Sequence, residues 1–224
     1  MVMHSIYQEN EAFLRSGVTG AGRTVTVSGL RQAGSGDRDS VIPDAFETVI
    51  LVDTDDNEIG YSGKLPAHRD GKLHRAFSIL ITNSKGEILL QRRAGGKYHF
   101  ASLWSNTCCG HPRPGESTVT AAQRRLAEEL GFSVTLEAVD TLIYRAEDLT
   151  SGLIENEFLH VLHGYFDGEP SPNPDEIGAY RWMRPGNIQR ILTRRPDWFT
   201  PWFAELADMY YGRSACQAQI GCWR

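Results

Sequence analysis

Two arginines and two glutamates, interleaved at helical spacing, are the first residues in this sequence that could do chemistry. In GHPRPGESTVTAAQRRLAEELGF, Gly110 to Phe132, Arg124 stands four residues before Glu128 and Arg125 four before Glu129, so on a helix each pair shares a face. A carboxylate beside an arginine suits a divalent ion carrying a diphosphate: the carboxylate ligates the hard cation and the guanidinium binds phosphate oxygens. Surface ion pairing alone would account for RRLAEE. A second pair of acids, Glu155 and Glu157, lies two apart in the strand-like run ENEFLHVLHGYF, and that spacing points both to one face. Two unpaired buried anions there would be costly, whereas a shared cation would suit them. Neighbouring Cys108 and Cys109 add thiols that could be reactive or simply buried filler.

These residues need a scaffold, and the pattern around them supplies one. The chain has 224 residues, 41% of them hydrophobic and 23% charged, which fits one compact domain with appendages. From residue 46 onward FETVILVD reads as a buried strand and DTDDNEIG as a polar turn. LHRAFSILIT and EILLQRR are β-type runs joined through NSKG as a hairpin. GESTVTAAQRRLAEELGF is helical with Gly131 as its stop. VTLEAVDTLIYRA, ENEFLHVLHGYF and IGAYRWM follow as strands, with the loop GEPSPNPDE between the last two, and NIQRILTRR and PWFAELADMYY close the domain as helices. Strands mixed with helices without regular alternation predict an α+β fold, a mixed β-sheet flanked by helices. Residues 1–44, rich in Gly, Ser, Asp and Arg, read as a flexible N-terminal arm with one short helix near Glu11–Leu14. Residues 45–211 read as the single folded domain and 212–224 as a C-terminal tail.

The composition also narrows partners. A formal net charge of -5 argues against nucleic acid or an anionic membrane as the binding partner, while a few local basic residues can still hold a small phosphorylated molecule. Four cysteines without paired CxxC spacing form neither a disulfide framework nor a cysteine metal site. The N-terminus lacks the pattern of a secretory signal, and no apolar run reaches the ~20 residues of a membrane helix. A cytoplasmic setting is the expectation; the oligomeric state is left open.

Gly110, Glu116, Arg124, Leu126, Glu128, Glu129, Gly131 and Phe132 resemble the Nudix box, G-x5-E-x7-R-E-U-x-E-E-x-G-U with U apolar, and imply a Nudix fold. One position departs: Arg125 stands where the box has Glu. In Nudix pyrophosphohydrolases that Glu helps hold the metal cluster that activates water, so its replacement by Arg should weaken hydrolysis. Three further segments, HRDGKLHRAF (68–77), NTCCGHP (106–112) and ENE (155–157), with the later TPW (200–202), resemble the type I isopentenyl-diphosphate isomerases, a family of Nudix fold.

That resemblance implies an isomerase that interconverts isopentenyl and dimethylallyl diphosphate, with a prenyl diphosphate as its small-molecule partner. It implies that His68, His74, His111, Glu155 and Glu157 bind one ion, a donor set suited to Zn²⁺ or Mn²⁺. Moving the double bond means protonating an alkene and deprotonating the neighbouring carbon, which calls for an acid, a base and exclusion of water. Cys109 and Glu157 match the family's acid–base pair, Tyr144 a tyrosine that supports proton transfer, and Trp202 an indole that faces the developing cation, worth up to ~2 kcal/mol when desolvated. Glu129, aided by the backbone carbonyl of Cys109, would hold Mg²⁺ on the diphosphate, and Lys64, Arg93, Lys97 and Arg125 match basic positions near the phosphates. The family spacing differs here in two apparent loops, one residue shorter between His68 and His74 and one longer between Tyr144 and Glu155. His160 has the wrong strand parity for the site, and His163 lies ~20 Å further along an extended strand. These two, with His4 and His99, are read as structural or exposed. The nearest rivals are a Nudix pyrophosphohydrolase of a nucleoside diphosphate derivative and a non-enzymatic module with a structural metal. The first has no use for Cys109, and the second none for an acid–base pair.

Overall fold

A computed structural model describes residues 24–26 and 47–211. Its centre is a mixed sheet built on β4 (His74–Thr82), which is buried along almost its whole length. On one side β4 runs parallel to β9 (Leu153–Tyr165) from His74↔Glu157 to Thr82↔Tyr165, and β9 forms a long antiparallel hairpin with β8 (Leu136–Asp148). β2 (Thr48–Val52) pairs with β3 (Glu58–Gly63) and touches β4 at Leu51↔His74. β5 (Ile88–Arg93) pairs with β10 (Ile177–Met183). α1 (Lys64–Asp70) follows β3 and ends at Gly71, which takes the left-handed conformation that stops it.

Apolar side chains on the two sheet faces form two cores. One face, with Ala76, Leu80, Leu159 and Val161, packs under α3 (Pro185–Arg194), a single 3-10 turn (Pro196–Trp198) and α4 (Pro201–Tyr211). The other, with Phe77, Ile79, Ile81 and Leu162, packs against Ala121, Ala122, Leu126 and Leu130 of α2 (Thr118–Leu130). Ser117 caps α2 by accepting a hydrogen bond from the Thr120 amide at 3.1 Å, and Gly131 closes it at φ 72°, a backbone conformation that favours glycine. The expected α+β architecture, a mixed sheet between helices, is therefore present. No helix among the described residues is long and apolar enough to cross a membrane.

Three features differ from the expectation. The hairpin through NSKG pairs only at Thr82↔Ile88, because β4 and β5 splay apart and β6 (Trp104–Ser105) and β7 (Cys108–Gly110) enter the gap. β6 pairs with β5 and β7 with β4. Thr107 stitches the wedge: its amide donates to Ile79 O at 3.2 Å, its hydroxyl donates to Leu89 O at 2.7 Å, and that oxygen accepts from the Ile81 amide at 3.0 Å. The stretch from residue 58 to 70, for which the pattern marks no element beyond the polar turn, forms β3 and α1. Within the arm, Thr24–Thr26 forms β1 on the outer edge of β10, while the short helix expected near Glu11–Leu14 and the tail 212–224 lie outside the described residues.

Candidate active site

The wedge and its neighbours converge on one cleft. α1 brings His68, the first residue of β4 is His74, His111 follows β7, and Glu155 and Glu157 project from one face of β9. Each of these five residues offers a ligand atom within 4.8 Å of the others. His68 Nδ1 lies 2.7 Å from the carbonyl of Lys64, and His74 Nδ1 lies 2.8 Å from that of Lys72. A carbonyl only accepts, so each Nδ1 carries a proton, and in the neutral ring each Nε2 then aims a lone pair inward. His74 Nε2 and His111 Nε2 face each other at 3.2 Å. His68 Nε2 and Glu155 Oε2 are 2.9 Å apart, yet both atoms are buried without a hydrogen-bond partner. Although burial opposes it, Glu155 raises the affinity of His68 for a second proton, so this gap is built to hold positive charge, and the mixed nitrogen and oxygen donors fit a divalent metal. Burial lowers His74 to about 4 and takes His111 well below the usual imidazole range, so both are neutral and able to ligate.

Cys108 and Cys109 point to opposite faces of β7. Cys108 packs with Phe77, Leu126 and the α2 core, whereas Cys109 lies on the other face beside the cleft. Cys109 pairs with Ser78 across the strands, with its Sγ 3.4 Å from Ser78 Oγ and 3.3 Å from Asn106 Oδ1. Burial pushes the thiol up to about 11. Asn106 is fully buried and also accepts at Oδ1 from Trp202 Nε1, at 3.2 Å. Its amide nitrogen donates to the carbonyls of Ile79 and Cys108. One asparagine thus ties the thiol to the indole. Trp202 meets Phe100 edge-on at 5.3 Å, so it packs in the core while still lining the cleft. Tyr144 sits opposite Glu157 in the β8–β9 hairpin and is hydrogen-bonded to it. Burial and the charge of Glu155 hold Glu157 well above the usual carboxylate range.

The cleft also carries a set of charged side chains. Arg93, Lys97 and Arg125 line it together with Glu129 and Glu176. Arg125 Nη2 lies 2.6 Å from Glu129 and 3.2 Å from Glu176, and Lys97 pairs with Glu176. Lys64 is buried and 3.5 Å from Glu47, so it is no solvated surface charge. Arg124 instead braces the loop before α2, with bonds of 2.8 and 2.9 Å to Glu116. Gly110 has a packing reason: a Cβ there would come within 2.9 Å of Phe77 and 3.3 Å of Arg125. The cleft has about 640 Å³ of empty space open to solvent. All the nominated side chains line it except His68 and His74, which stand behind its wall in the ligand cluster. The two altered spacings fall at the turn after α1 and at the tip of the β8–β9 hairpin, away from the side chains themselves.

Comparison with known proteins agrees with this geometry. Residues 72–203 match the NUDIX domain family. A crystal structure of DR0079 from Deinococcus radiodurans shares the fold, with a TM-score of 0.61 at 23% identity over 74% of this chain and 99% of that one. The isopentenyl-diphosphate Delta-isomerase of Serratia proteamaculans is 52% identical over 70% of this chain and 87% of its own. The chain belongs to the isopentenyl-diphosphate Delta-isomerase family. The family's representative in Halorhodospira halophila is 50% identical over 72% of this chain and 93% of its own, and that in Nocardia farcinica 48% over 75% and 98%.

In this isopentenyl-diphosphate Delta-isomerase family member, sequence reasoning passed over several groups at the site. His99, expected to be structural or exposed, is buried and points its Nε2 at Glu155 Oε1, 2.5 Å away. No periodic pattern surrounds it, so only its place near the end of β5 could have signalled it. Ser78 was hidden in plain strand sequence, Asn106 was given no role although it opens the NTCCGHP segment, and Glu176 lay in a Pro-rich loop. The other control histidines behave as expected: His160 pairs with Asp56 at 3.0 Å and His163 with Thr82 at 2.9 Å. His4 lies outside the described residues.

Proposed function

We propose that the protein interconverts isopentenyl diphosphate and dimethylallyl diphosphate in this cleft, with residues 45–211 as the catalytic domain. The observation that carries the reading is the shared cleft itself, lined at once by Cys109, Glu157 and Tyr144 and by Arg93, Lys97 and Arg125. The diphosphate is held by Arg93, Lys97 and Arg125, with Lys64 adding charge, and the five-carbon chain reaches Cys109, Glu157 and Tyr144. Cys109 and Glu157 divide the work. One adds a proton to the terminal methylene carbon, leaving positive charge on the tertiary carbon, and the other removes a proton from the carbon next to the diphosphate-bearing one. Tyr144, hydrogen-bonded to Glu157, relays or steadies that proton. The face of Trp202 lies against the developing cation, and Phe100 behind it helps exclude water.

Zn²⁺ or Mn²⁺ held by His68, His74, His111, Glu155 and Glu157 would keep the two acids charged side by side, and Mg²⁺ held by Glu129 and the Cys109 carbonyl would neutralise the diphosphate. Hydrolysis is not favoured, because Arg125 places a guanidinium against Glu129 and Glu128 where a Nudix hydrolase has a further carboxylate. Incubation with isopentenyl diphosphate and product analysis by NMR tests the reading. Dimethylallyl diphosphate without phosphate release is expected. Release of phosphate or a monophosphate without isomerisation would overturn it.

A further inference from the structure

His99 lies between β5 and β6 and belongs to none of the five ligand positions, yet the chain takes trouble to aim it inward. Its carbonyl accepts a bond from Arg93 Nη2 at 3.2 Å, and the amide of the next residue, Phe100, donates to Asp148 Oδ2 at 3.1 Å. Phe100 itself sits at φ 48° and Ser102 at φ 65°. A bulky residue in the left-handed region is an outlier, held only where the surroundings impose it, and such strain gathers at functional sites. The result is a ring only 6% exposed, with Nε2 2.5 Å from Glu155 Oε1 and its centroid 5.6 Å from that of His68. Glu155 therefore has its two oxygens in different roles. Oε2 faces His68 Nε2 and the point on which the ligand atoms converge, while Oε1 accepts from His99.

We propose that His99 is a positioning residue for the metal centre: its Nε2–H occupies one oxygen of Glu155 and so fixes the other as a single-oxygen ligand. This rests on the metal site described under Proposed function. Partners of this kind orient ligating carboxylates, and their loss typically weakens metal binding by about 10–100-fold. Because Arg93 holds the His99 carbonyl and also lines the cleft, the same loop ties substrate binding to ligand geometry.

Metal-free wild-type protein, His99→Ala and His99→Gln are titrated with Zn²⁺ and Co²⁺ against a chromophoric chelator, with folding checked by thermal melting. His99→Ala is expected to bind about 10–100-fold more weakly, and His99→Gln, whose amide can donate to the same oxygen, to recover most of the loss. The Co²⁺ ligand-field bands should change in His99→Ala, where the freed oxygen of Glu155 can also coordinate, and return towards wild type in His99→Gln. Unchanged affinity in both variants overturns the inference alone. A Co²⁺ spectrum altered equally in His99→Ala and His99→Gln also overturns it, by making His99 a ligand. Wild-type protein that binds neither ion overturns the metal site as well.

Discussion

Cys108 and Cys109 are chemically identical and adjacent, and strand parity alone gives them different surroundings. Cys108 fills space between β4 and α2 with no exposure, whereas Cys109 has Ser78 and Asn106 beside its sulfur and the cleft in front of it. Replacing Cys109 with Ala removes one of two proton-transfer groups and should lower turnover by about 10²–10⁴-fold while leaving the melting temperature within a few degrees, since the site is only partly packed. Cys108→Ala should do the reverse, losing stability to a small cavity with activity largely retained. Steady-state kinetics and thermal melts of both variants check this. Near-normal activity in Cys109→Ala would mean that the wrong thiol had been assigned. At this scale much was legible. The two-residue step puts Glu155 and Glu157 on one face in any strand, and the four-residue step pairs Arg125 with Glu129 on any helix. His99 was not legible, because a loop residue's direction depends on where the chain is pinned, here at Arg93 and Asp148, and no spacing encodes that.

The element that makes the site is the splayed β4–β5 hairpin. A simple hairpin would have left no gap for β7, and Cys109, Gly110 and His111 would have no place beside Ser78 and His74. Thr107 is what the opening depends on, since its fully buried side chain satisfies a carbonyl of β5 and an amide of β4 at once. Thr107→Val keeps the shape and deletes both bonds, leaving buried polar backbone groups unpaired, and should cost about 2–4 kcal/mol in a chemical denaturation experiment. A loss below ~0.5 kcal/mol, within the range of ordinary surface changes, would show that the wedge holds without it. The sequence marked the runs of β4 and β5 through their apolar residues, but not which strands they pair with. β3 and α1 escaped notice for local reasons. β3 (EIGYSG) is short and mostly exposed, with its apolar residues Ile59 and Tyr61 facing outward, and α1 (KLPAHRD) is a short polar helix with a proline in its first turn. Both take their shape from the sheet edge and from β9, whose Asn156 donates to Gly71 O at 2.9 Å.

For the whole molecule, the ligand cluster is also a fastening. It joins α1, β4, β7 and β9 at one point, and without a cation its inward lone pairs and carboxylates repel. A metal that binds only the folded state adds about 2.7 kcal/mol at a hundredfold excess over its dissociation constant, or a melting shift of about 5 °C or more in a domain of this size. Chelation should lower the melting temperature and abolish isomerisation together, and Zn²⁺ or Mn²⁺ should restore both. A melting temperature indifferent to chelator and metal would contradict the cluster's role. Proton transfer by two separate groups is the claim on which the rest depends, and running the reaction in deuterated water tests it most directly. Protonation by a group in exchange with solvent predicts dimethylallyl diphosphate carrying deuterium in a methyl group. An unlabelled product would mean that one group carries the same proton between the two carbons, and would contradict the division of work between Cys109 and Glu157.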